Sequence, residues 1–531
     1  MSLIYKIATK PSEFEQILKL NYQTFVEEIP QHEKNEARTL IDKFHDENTY
    51  VICMKDDQLV GMICVRSKRP FSLDGKIGEV EQHLPVAVEN PCEIRLLAVD
   101  PVYRNGRAFL GLAQALIRYC LKLGYDAALI SGTTREQKLY GQMGFQPFAY
   151  LTGDEKAAFQ PMYLTKTTFD EGIAGRILKE QVNFLPGPAT ISDSVKKALA
   201  TSPYSHRSKG FENLLQTVQK KLTTLAHAKH VQILHGTGTL ANDVVAGQLS
   251  LLPGKGLILV NGEFGERLVD HAERMDLNFN VIETEWGTPF KKEDIIEAVS
   301  NGEYHWIWAV HCETSTGVLN DIDMLKNVCR SYDLSLSLDC ISSLGAVPLH
   351  LEGVLLASGV SGKALASYSG LSFVFHSEDV KPNKRLPRYL DLGAYTAADG
   401  IPYSQSSNLM TALAEALKRY ECPQKEYELI EQRYNLIRNG VEEAGLTVLS
   451  EKNYSAHTIM TILLPKEVSV KQLGDNLYLN GFNLHYESYY LNDRNWMQIS
   501  CINDVSEKDI KKMLSILKGL CMVEREPSIT K

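Results

Sequence analysis

The sequence predicts an α/β protein in three parts. These are a compact α+β unit, a larger unit with a mostly parallel sheet covered by helices on both faces, and a small C-terminal α+β lobe. Three observations lead there. Apolar strands alternate with helical stretches from Val231 to Leu338, the pattern of a parallel sheet. The chain changes character across Thr165–Gln181, where a polar stretch with a helical patch reads as a linker. The run from Lys425 to Leu520 mixes helices with short strands. At 531 residues the chain exceeds one ordinary core. The expected boundaries are 1–165 for the first unit and 166–182 for the linker. The large domain with its N-terminal arm covers 183–430, and the small C-terminal domain 431–523.

Composition narrows the partners. Hydrophobic residues make up 44% and charged residues 23%, as in a soluble globular protein. A formal net charge of -9 gives no basic excess, which argues against nucleic acid. The 10 cysteines are scattered without CxxC pairs and read as reduced thiols, with no metal site expected. The opening MSLIYKIATKPSEFEQ lacks a basic region followed by an apolar core, so no secretion signal is expected. No apolar run approaches the ~20 residues needed to span a bilayer. A cytoplasmic location is the expectation, and the closing REPSITK reads as a frayed tail.

In the first unit, Tyr50–Met54 and Leu59–Arg66 flank Asp56-Asp57 as a hairpin. Glu93–Val99 is a strand, Phe109–Leu123 a helix, Ala127–Ser131 a strand, and Gln137–Met143 a short helix broken at Gly144. This order suits acyl-coenzyme A, whose pantetheine arm can pair with a splayed strand while a helix N-terminus faces the pyrophosphate. In the second unit the expected strands are Val231–Leu234, Gly256–Val260, Phe279–Glu283, Trp306–Val310 and Ser335–Leu338.

Ser335–Gly370 is the richest stretch. Asp339 ends an apolar run, a Ser-Ser-x-Gly turn follows, and a second apolar run delivers Lys363 among small residues. Pyridoxal phosphate chemistry needs such a pair: an amine to hold the cofactor aldehyde, and a carboxylate to keep the pyridine nitrogen protonated. Other motifs follow in order. They are PGPATIS (186–192), Ser205-His206-Arg207 with Phe211, HGTGT (235–239), NGEFGER (261–267) and HCETSTGVLN (311–320). Thr237, Gly238 and Thr239 place small side chains at a helix start, where amides and dipole favour a phosphate.

This ordered set resembles the fold-type I, class V pyridoxal-phosphate aminotransferases, in the alanine–glyoxylate and 2-aminoethylphosphonate transaminase branch, over about residues 183 to 520. The resemblance implies that Lys363 binds the cofactor and moves the substrate's proton, and that Asp339 pairs with the ring nitrogen. It further implies that Phe264 stacks on the ring and Thr314 contacts its substituents, and that two chains form a homodimer. Two departures stand out. Gln498 occupies the place of the arginine that clamps substrate carboxylate or phosphonate, and a neutral amide cannot make that bidentate charged contact. Arg494 or Arg388 are candidate substitutes. Ser404, in Ile401–Ser406, stands near the usual Thr-x-Pro phosphate contact with the neighbouring subunit.

The first unit resembles GNAT-type N-acyltransferases, with features of the acyl-homoserine-lactone and N-acyl amino acid synthase branches. EIRLLAVDPVYR (93–104), the following helix and LYGQMGFQPF (139–148) carry the likeness. The usual glycine loop is not intact: Arg107 and Phe109 stand at its glycine positions, leaving Arg104 and Arg107 to meet a phosphate by charge. Tyr140 matches the tyrosine that protonates the leaving thiolate, although a core-packing role is equally open. Glu93 can take the amine proton through water, but a surface salt bridge at the strand end is the stronger expectation.

Together these readings predict a bifunctional enzyme. One unit passes an amino group from a small amino donor to an oxo acceptor, and the other acylates an amine from an acyl-coenzyme A or acyl-carrier-protein thioester. The alternative is a class V lyase or decarboxylase with a non-catalytic GNAT-like sensing or interaction domain.

Overall fold

A computed structural model describes residues 3–524 except 30, 105, 155–156, 173–174 and 177, so the tail at 525–531 lies outside the described residues. Internal contacts divide the chain into two units. The first is Met1–Val182 with Gln472–Asn483 and Ser515–Lys531, and the second is Asn183–Lys471 with Leu484–Leu514. The two later segments of the first unit fall within the C-terminal lobe as read from sequence.

In the first unit, eight strands form one sheet. They are β1 (Ile4–Ile7), β2 (Thr49–Lys55), β3 (Gln58–Arg66), β4 (Pro91–Val99), β5 (Ala127–Thr133), β6 (Gln146–Pro147), β7 (Thr152–Asp154) and β8 (Ala157–Thr165). Their order is β1-β2-β3-β4-β5-β8-β6, with β7 on β8. Only β4 and β5 are parallel. Helices α1 (Pro11–Tyr22), α2 (Asp74–Ile77), α3 (Arg107–Lys122) and α4 (Gln137–Gln142) accompany them. The hairpin of β2 and β3 turns at Asp56-Asp57, where Asp56 has φ 54°. The open edge of β1 is covered by side-chain amides: Tyr5 N–H donates to Asn480 Oδ1 at 3.2 Å and Ile7 N–H to Asn476 Oδ1 at 3.1 Å.

One irregularity shapes this sheet. Leu96 takes φ 51°, and the β3–β4 register slips between Met62 and Cys64. Left-handed backbone costs a leucine roughly 1–2 kcal/mol, so the position marks a bulge that bends β4. Beyond it the strands part. β4 and β5 pair only where Pro91–Glu93 faces Ala127–Leu129. The splayed strand expected from sequence is present, and the bulge is its cause.

In the second unit seven strands form the main sheet. They are β9 (His230–Gly236), β10 (Lys255–Val260), β11 (Phe279–Glu283), β12 (Tyr304–Val310), β13 (Ser335–Asp339), β14 (Leu356–Val360) and β15 (Gly370–His376), in the order β9-β15-β14-β13-β12-β10-β11. Only β15 runs against the rest. Sequence reading assigns no strand to LASGV or GLSFVFH; cross-strand pairing makes LASGV β14, and in β15 it adds to the strand propensity of Phe373, Val374 and Phe375. Strands buried on both faces read as continuous apolar runs, as YHWIWAV does in β12.

Its side chains alternate between two cores. Ile307 and Ala309 pack with residues of α5 (Lys209–Ala226), α8 (Lys292–Asn301) and α9 (Ile322–Ser331). Trp306, Trp308 and Val310 pack with α6 (Gly238–Leu249) and α7 (Glu263–Arg274). Caps set the helix starts: Ser208 accepts from Phe211 N–H at 3.2 Å and Asp321 from Met324 N–H at 2.9 Å. Helix α10 (Ser407–Ala416) joins the first of these cores. A small antiparallel sheet, β16 (Thr447–Val448), β17 (Ile459–Leu463) and β18 (Trp496–Ser500), sets Gln498 opposite Thr461. Among the described residues no helix is long and apolar enough to cross a membrane.

Ile307, fully buried at the centre of β12, tests the layered core. Ile307→Ala is expected to cost about 2–5 kcal/mol, read as a lowered urea midpoint of the second unit's transition.

Candidate functional site

In open α/β sheets ligands gather at the carboxyl ends of the strands. There the second unit brings its chemistry together. Thr237 and Gly238 follow β9, Phe264 follows β10 on the first turn of α7, Thr314 follows β12, Asp339 ends β13 and Lys363 follows β14. Lys363 Nζ donates to Ser342 Oγ at 2.7 Å, and Ser342 Oγ also meets Thr314 Oγ1. The same amine lies 5.4 Å from the Phe264 ring centroid. Burial holds the Lys363 amine below the ordinary lysine range, against the opposing pull of Asp339.

Asp339 is 4% exposed, and among the described residues its carboxylate is held by neutral donors. Oδ2 accepts from Asn242 Nδ2 and Oδ1 from Ile341 N–H, each at 2.8 Å. A buried carboxylate hydrogen-bonded by neutral groups suits a protonated pyridine nitrogen. Close by, a Cβ on Gly238 would sit 2.5 Å from Ile341 Cδ1 and 3.3 Å from Val360 Cγ1, so glycine lets α6 begin here without displacing Ile341. Thr237 and Thr239 are exposed at this helix start, open to a phosphate. His235 accepts from Ser406 N–H at 3.1 Å, and burial keeps its imidazole below its usual value. Ser404 is exposed two residues before. Amine, carboxylate, aromatic wall and helix start all fit pyridoxal phosphate.

Gln498 is fully buried, and both ends of its amide are engaged. Nε2 reaches Thr314 O at 2.6 Å, Ser315 O at 3.0 Å and Thr461 Oγ1 at 2.8 Å. Oε1 accepts from His485 Nδ1 at 2.8 Å and from Tyr490 OH at 3.1 Å. Carbonyls only accept, so this network fixes which way the amide points. Arg494 stacks on Trp286, 4.0 Å from guanidinium carbon to ring centroid, and lies 5.6 Å from Trp496. Arg388 offers its carbonyl to Tyr403 OH at 2.8 Å.

The first unit holds a cavity of about 670 Å³ beneath the splay of β4 and β5. Leu116, Ile117, Met143, Phe145 and Phe169 line its apolar part; Asp42, Ser72, Lys76, Glu93, Arg95 and Ser131 its polar part. Tyr140 faces this cavity, and its phenol, which hydrogen-bonds Thr133, is pushed above the usual tyrosine value by burial. Glu93 departs from the expected surface salt bridge. It is fully buried and accepts from Ser72 N–H (2.8 Å), Ser72 Oγ (2.6 Å) and Leu73 N–H (3.0 Å). Arg95 Nε lies 3.7 Å from Glu93 in an ion pair that is buried rather than at the surface, while the rest of its guanidinium forks onto Asp42 at 2.7 and 2.9 Å. Arg104 reaches Glu28 at 2.6 Å and Val99 O at 2.8 Å, while Arg107 is exposed at the start of α3.

Sequence reasoning missed Asn242, the roles of Glu313 and Ser315, and the Asp42–Arg95 pair. Asn242 had a findable signal, a polar residue on the buried face of α6 soon after HGTGT. Asp42 and Arg95, 53 residues apart, had none.

The family described as aminotransferase class-V matches residues 193–395, and N-acyl amino acid synthase FeeM matches residues 16–166. A relative from Anabaena cylindrica, named soluble hydrogenase 42 kDa subunit, is 31% identical over 299 residues, 53% of this chain and 78% of that protein. The 2-aminoethylphosphonate–pyruvate transaminase of Phocaeicola vulgatus is 24% identical over 354 residues, 63% of this chain and 97% of that one. Among solved structures, an alanine–glyoxylate aminotransferase from Nostoc sp. is similar with a TM-score of 0.59 and 26% identity, covering 64% of this chain and 95% of that one. The chain belongs to the class V, fold-type I aminotransferase family and carries an N-acyl amino acid synthase domain of GNAT type at its N-terminus; it is a two-domain transferase.

Removing the Gln498 amide leaves two carbonyls, a hydroxyl, an imidazole and a phenol short of a partner. Gln498→Leu is therefore expected to destabilise by about 2–4 kcal/mol in chemical denaturation.

Proposed function

We propose that the C-terminal unit transaminates a small amino compound, an amino acid or aminophosphonate-like molecule, and that the N-terminal unit N-acylates an amine from an acyl thioester. The observation that carries the first half is the meeting of Lys363, Asp339 and the open start of α6 at one end of a parallel sheet. Pyridoxal phosphate supplies an electron-accepting ring through which an amino group passes from donor to oxo acceptor. Thr237, Gly238 and Thr239 bind its phosphate, with Ser404 reaching the site of a partner in a homodimer. Asp339 holds a proton on the ring nitrogen, Phe264 backs the ring, and Thr314 faces its substituents. Lys363 moves the substrate proton, taking it as a base and returning it as an acid. Gln498 shapes the substrate side of the pocket, and Arg494 is the nearby cation offered to a substrate acid.

In the N-terminal unit the amine nitrogen attacks the thioester carbonyl. The C–S bond breaks, the amide forms, the thiolate takes a proton from an acid, and the proton lost by the attacking nitrogen returns to that acid through water. Tyr140, whose phenol faces the cavity, supplies the thiolate's proton. The apolar cavity holds the acyl chain, delivered by coenzyme A or a carrier protein. The cytoplasm, rich in both thioesters, is the compartment this reading requires.

Gln498 favours one second reading. Without the clamping arginine the partner need not be a 2-oxo acid, so a class V lyase or decarboxylase beside a sensing domain is the competitor. Absorbance of the full chain with pyridoxal phosphate, titrated with single amines, decides between them. Conversion of the visible band by an amine, with keto product released, supports transamination; loss of carbon dioxide or elimination supports the competitor.

Lys363→Ala is expected to abolish the visible band of bound cofactor. In wild type, cofactor capture should rise with pH, since the unprotonated amine reacts. Its midpoint should lie below the ordinary lysine value because burial lowers the pKa. A midpoint in the ordinary range would remove burial as the activating device. For the other unit, Tyr140→Phe should slow acyl transfer by about 10²–10⁴-fold with acyl-donor binding little changed, measured as kcat and KM for thioester turnover.

A further inference from the structure

Glu313 carries a carboxylate that is wholly buried and forms no ion pair among the described residues. Its partners are instead donors at the start of α7 and in its own turn. They are Phe264 N–H at 3.3 Å, Gly265 N–H at 3.0 Å, Ser315 N–H at 3.0 Å and the Ser315 hydroxyl. Ser315 Oγ in turn accepts from Glu263 N–H at 3.1 Å. Glu263, Phe264 and Gly265 open α7, so its first amides are satisfied by a segment across the strand ends. The residue at its own cap is Gly262, which has no side chain to offer. A Cβ there would lie 2.5 Å from Glu313 Cδ and from Ser315 Oγ, so the close approach requires glycine.

This clamp touches both walls of the pocket. Phe264 is the second residue of α7, and its ring stands 5.4 Å from Lys363 Nζ. Thr314 lies between Glu313 and Ser315, and its hydroxyl meets Ser342, the acceptor of the Lys363 amine. A helix N-terminus favours negative charge, which explains how the carboxylate is held so deep. Glutamine in its place keeps one acceptor oxygen and sets an N–H against an N–H.

We propose that Glu313 is a positioning residue for the cofactor pocket: it fixes the start of α7, and through it the Phe264 ring, against Lys363, without touching the cofactor. The inference rests on the reading of this pocket as a pyridoxal phosphate site.

The test is a double-mutant cycle in the full chain with Glu313→Gln, Phe264→Leu and both together. Two quantities are read: the dissociation constant for pyridoxal phosphate, and the visible circular dichroism of the bound cofactor. Far-ultraviolet circular dichroism checks the fold. Each single change is expected to weaken binding roughly tenfold and to diminish the visible dichroic band, within the coupling range of contacting groups. The double variant should lose no more than the weaker-binding single, and Glu313→Asp should recover most of the band. Additive losses, or wild-type affinity and dichroism in Glu313→Gln, overturn the proposal. If Glu313→Gln does not fold, the cycle is run with Ser315→Ala, which removes the hydroxyl that donates to Glu313 and accepts from Glu263 N–H, and additivity decides in the same way. Wild-type protein that binds no more cofactor than Lys363→Ala overturns the pocket's reading, and the proposal with it; that failure is visible before any Glu313 variant is made.

Discussion

Burying a carboxylate at the end of a β-strand is unfavourable unless something answers its charge. Asp339 is buried with two neutral hydrogen bonds, from Asn242 and the Ile341 amide. Much of the second unit is arranged around that constraint. The parallel sheet delivers Asp339 and Lys363 from neighbouring strands, β13 and β14. The turn after β13 supplies Ser342, which ties the lysine to Thr314. Helix α6 brings Asn242 to the carboxylate, with glycine at its start to allow the approach. A cationic ring nitrogen would complete the set.

Gln498 shows how a single replacement changes what a position does. An arginine there would point charge at a substrate. The glutamine ties β18 to the turn after β12 through Thr314 and Ser315, and its oxygen is taken by His485 and Tyr490. Burial lowers the His485 pKa and raises that of Tyr490, favouring the neutral form of each. The first unit obeys a different constraint. Its bulge at Leu96 separates β4 from β5, and the gap opens onto a cavity with apolar walls and a charged end.

Much of this was legible in the sequence because it is local. HGTGT, the apolar run into Asp339 and the lone Lys363 announce themselves by spacing, and five of the seven main strands follow from apolar alternation. The hairpin at Asp56-Asp57 and the helix after Asp100-Pro101 were equally readable. The rest required partners from far along the chain. LASGV, with Ala, Ser and Gly, is a weak strand former and becomes a strand because neighbours pair with it, whereas GLSFVFH carries strand-forming Phe and Val that sequence reading passes over. Glu93 looked like a surface residue and is buried, since its acceptors are matched by a loop 20 residues earlier.

By itself the sequence determined the order of the two chemistries and the alternation that makes a parallel sheet, and it singled out Lys363 and Asp339 as candidates. Those depend on residue type and short-range spacing, which periodicity and turn chemistry expose. Only the tertiary structure decided which polar groups answer the buried charges: Asn242 for Asp339, the start of α7 for Glu313, Asp42 for Arg95, and five neighbours for Gln498. A buried polar group takes whatever donor or acceptor the packing brings within about 3 Å, and that choice is made by the fold.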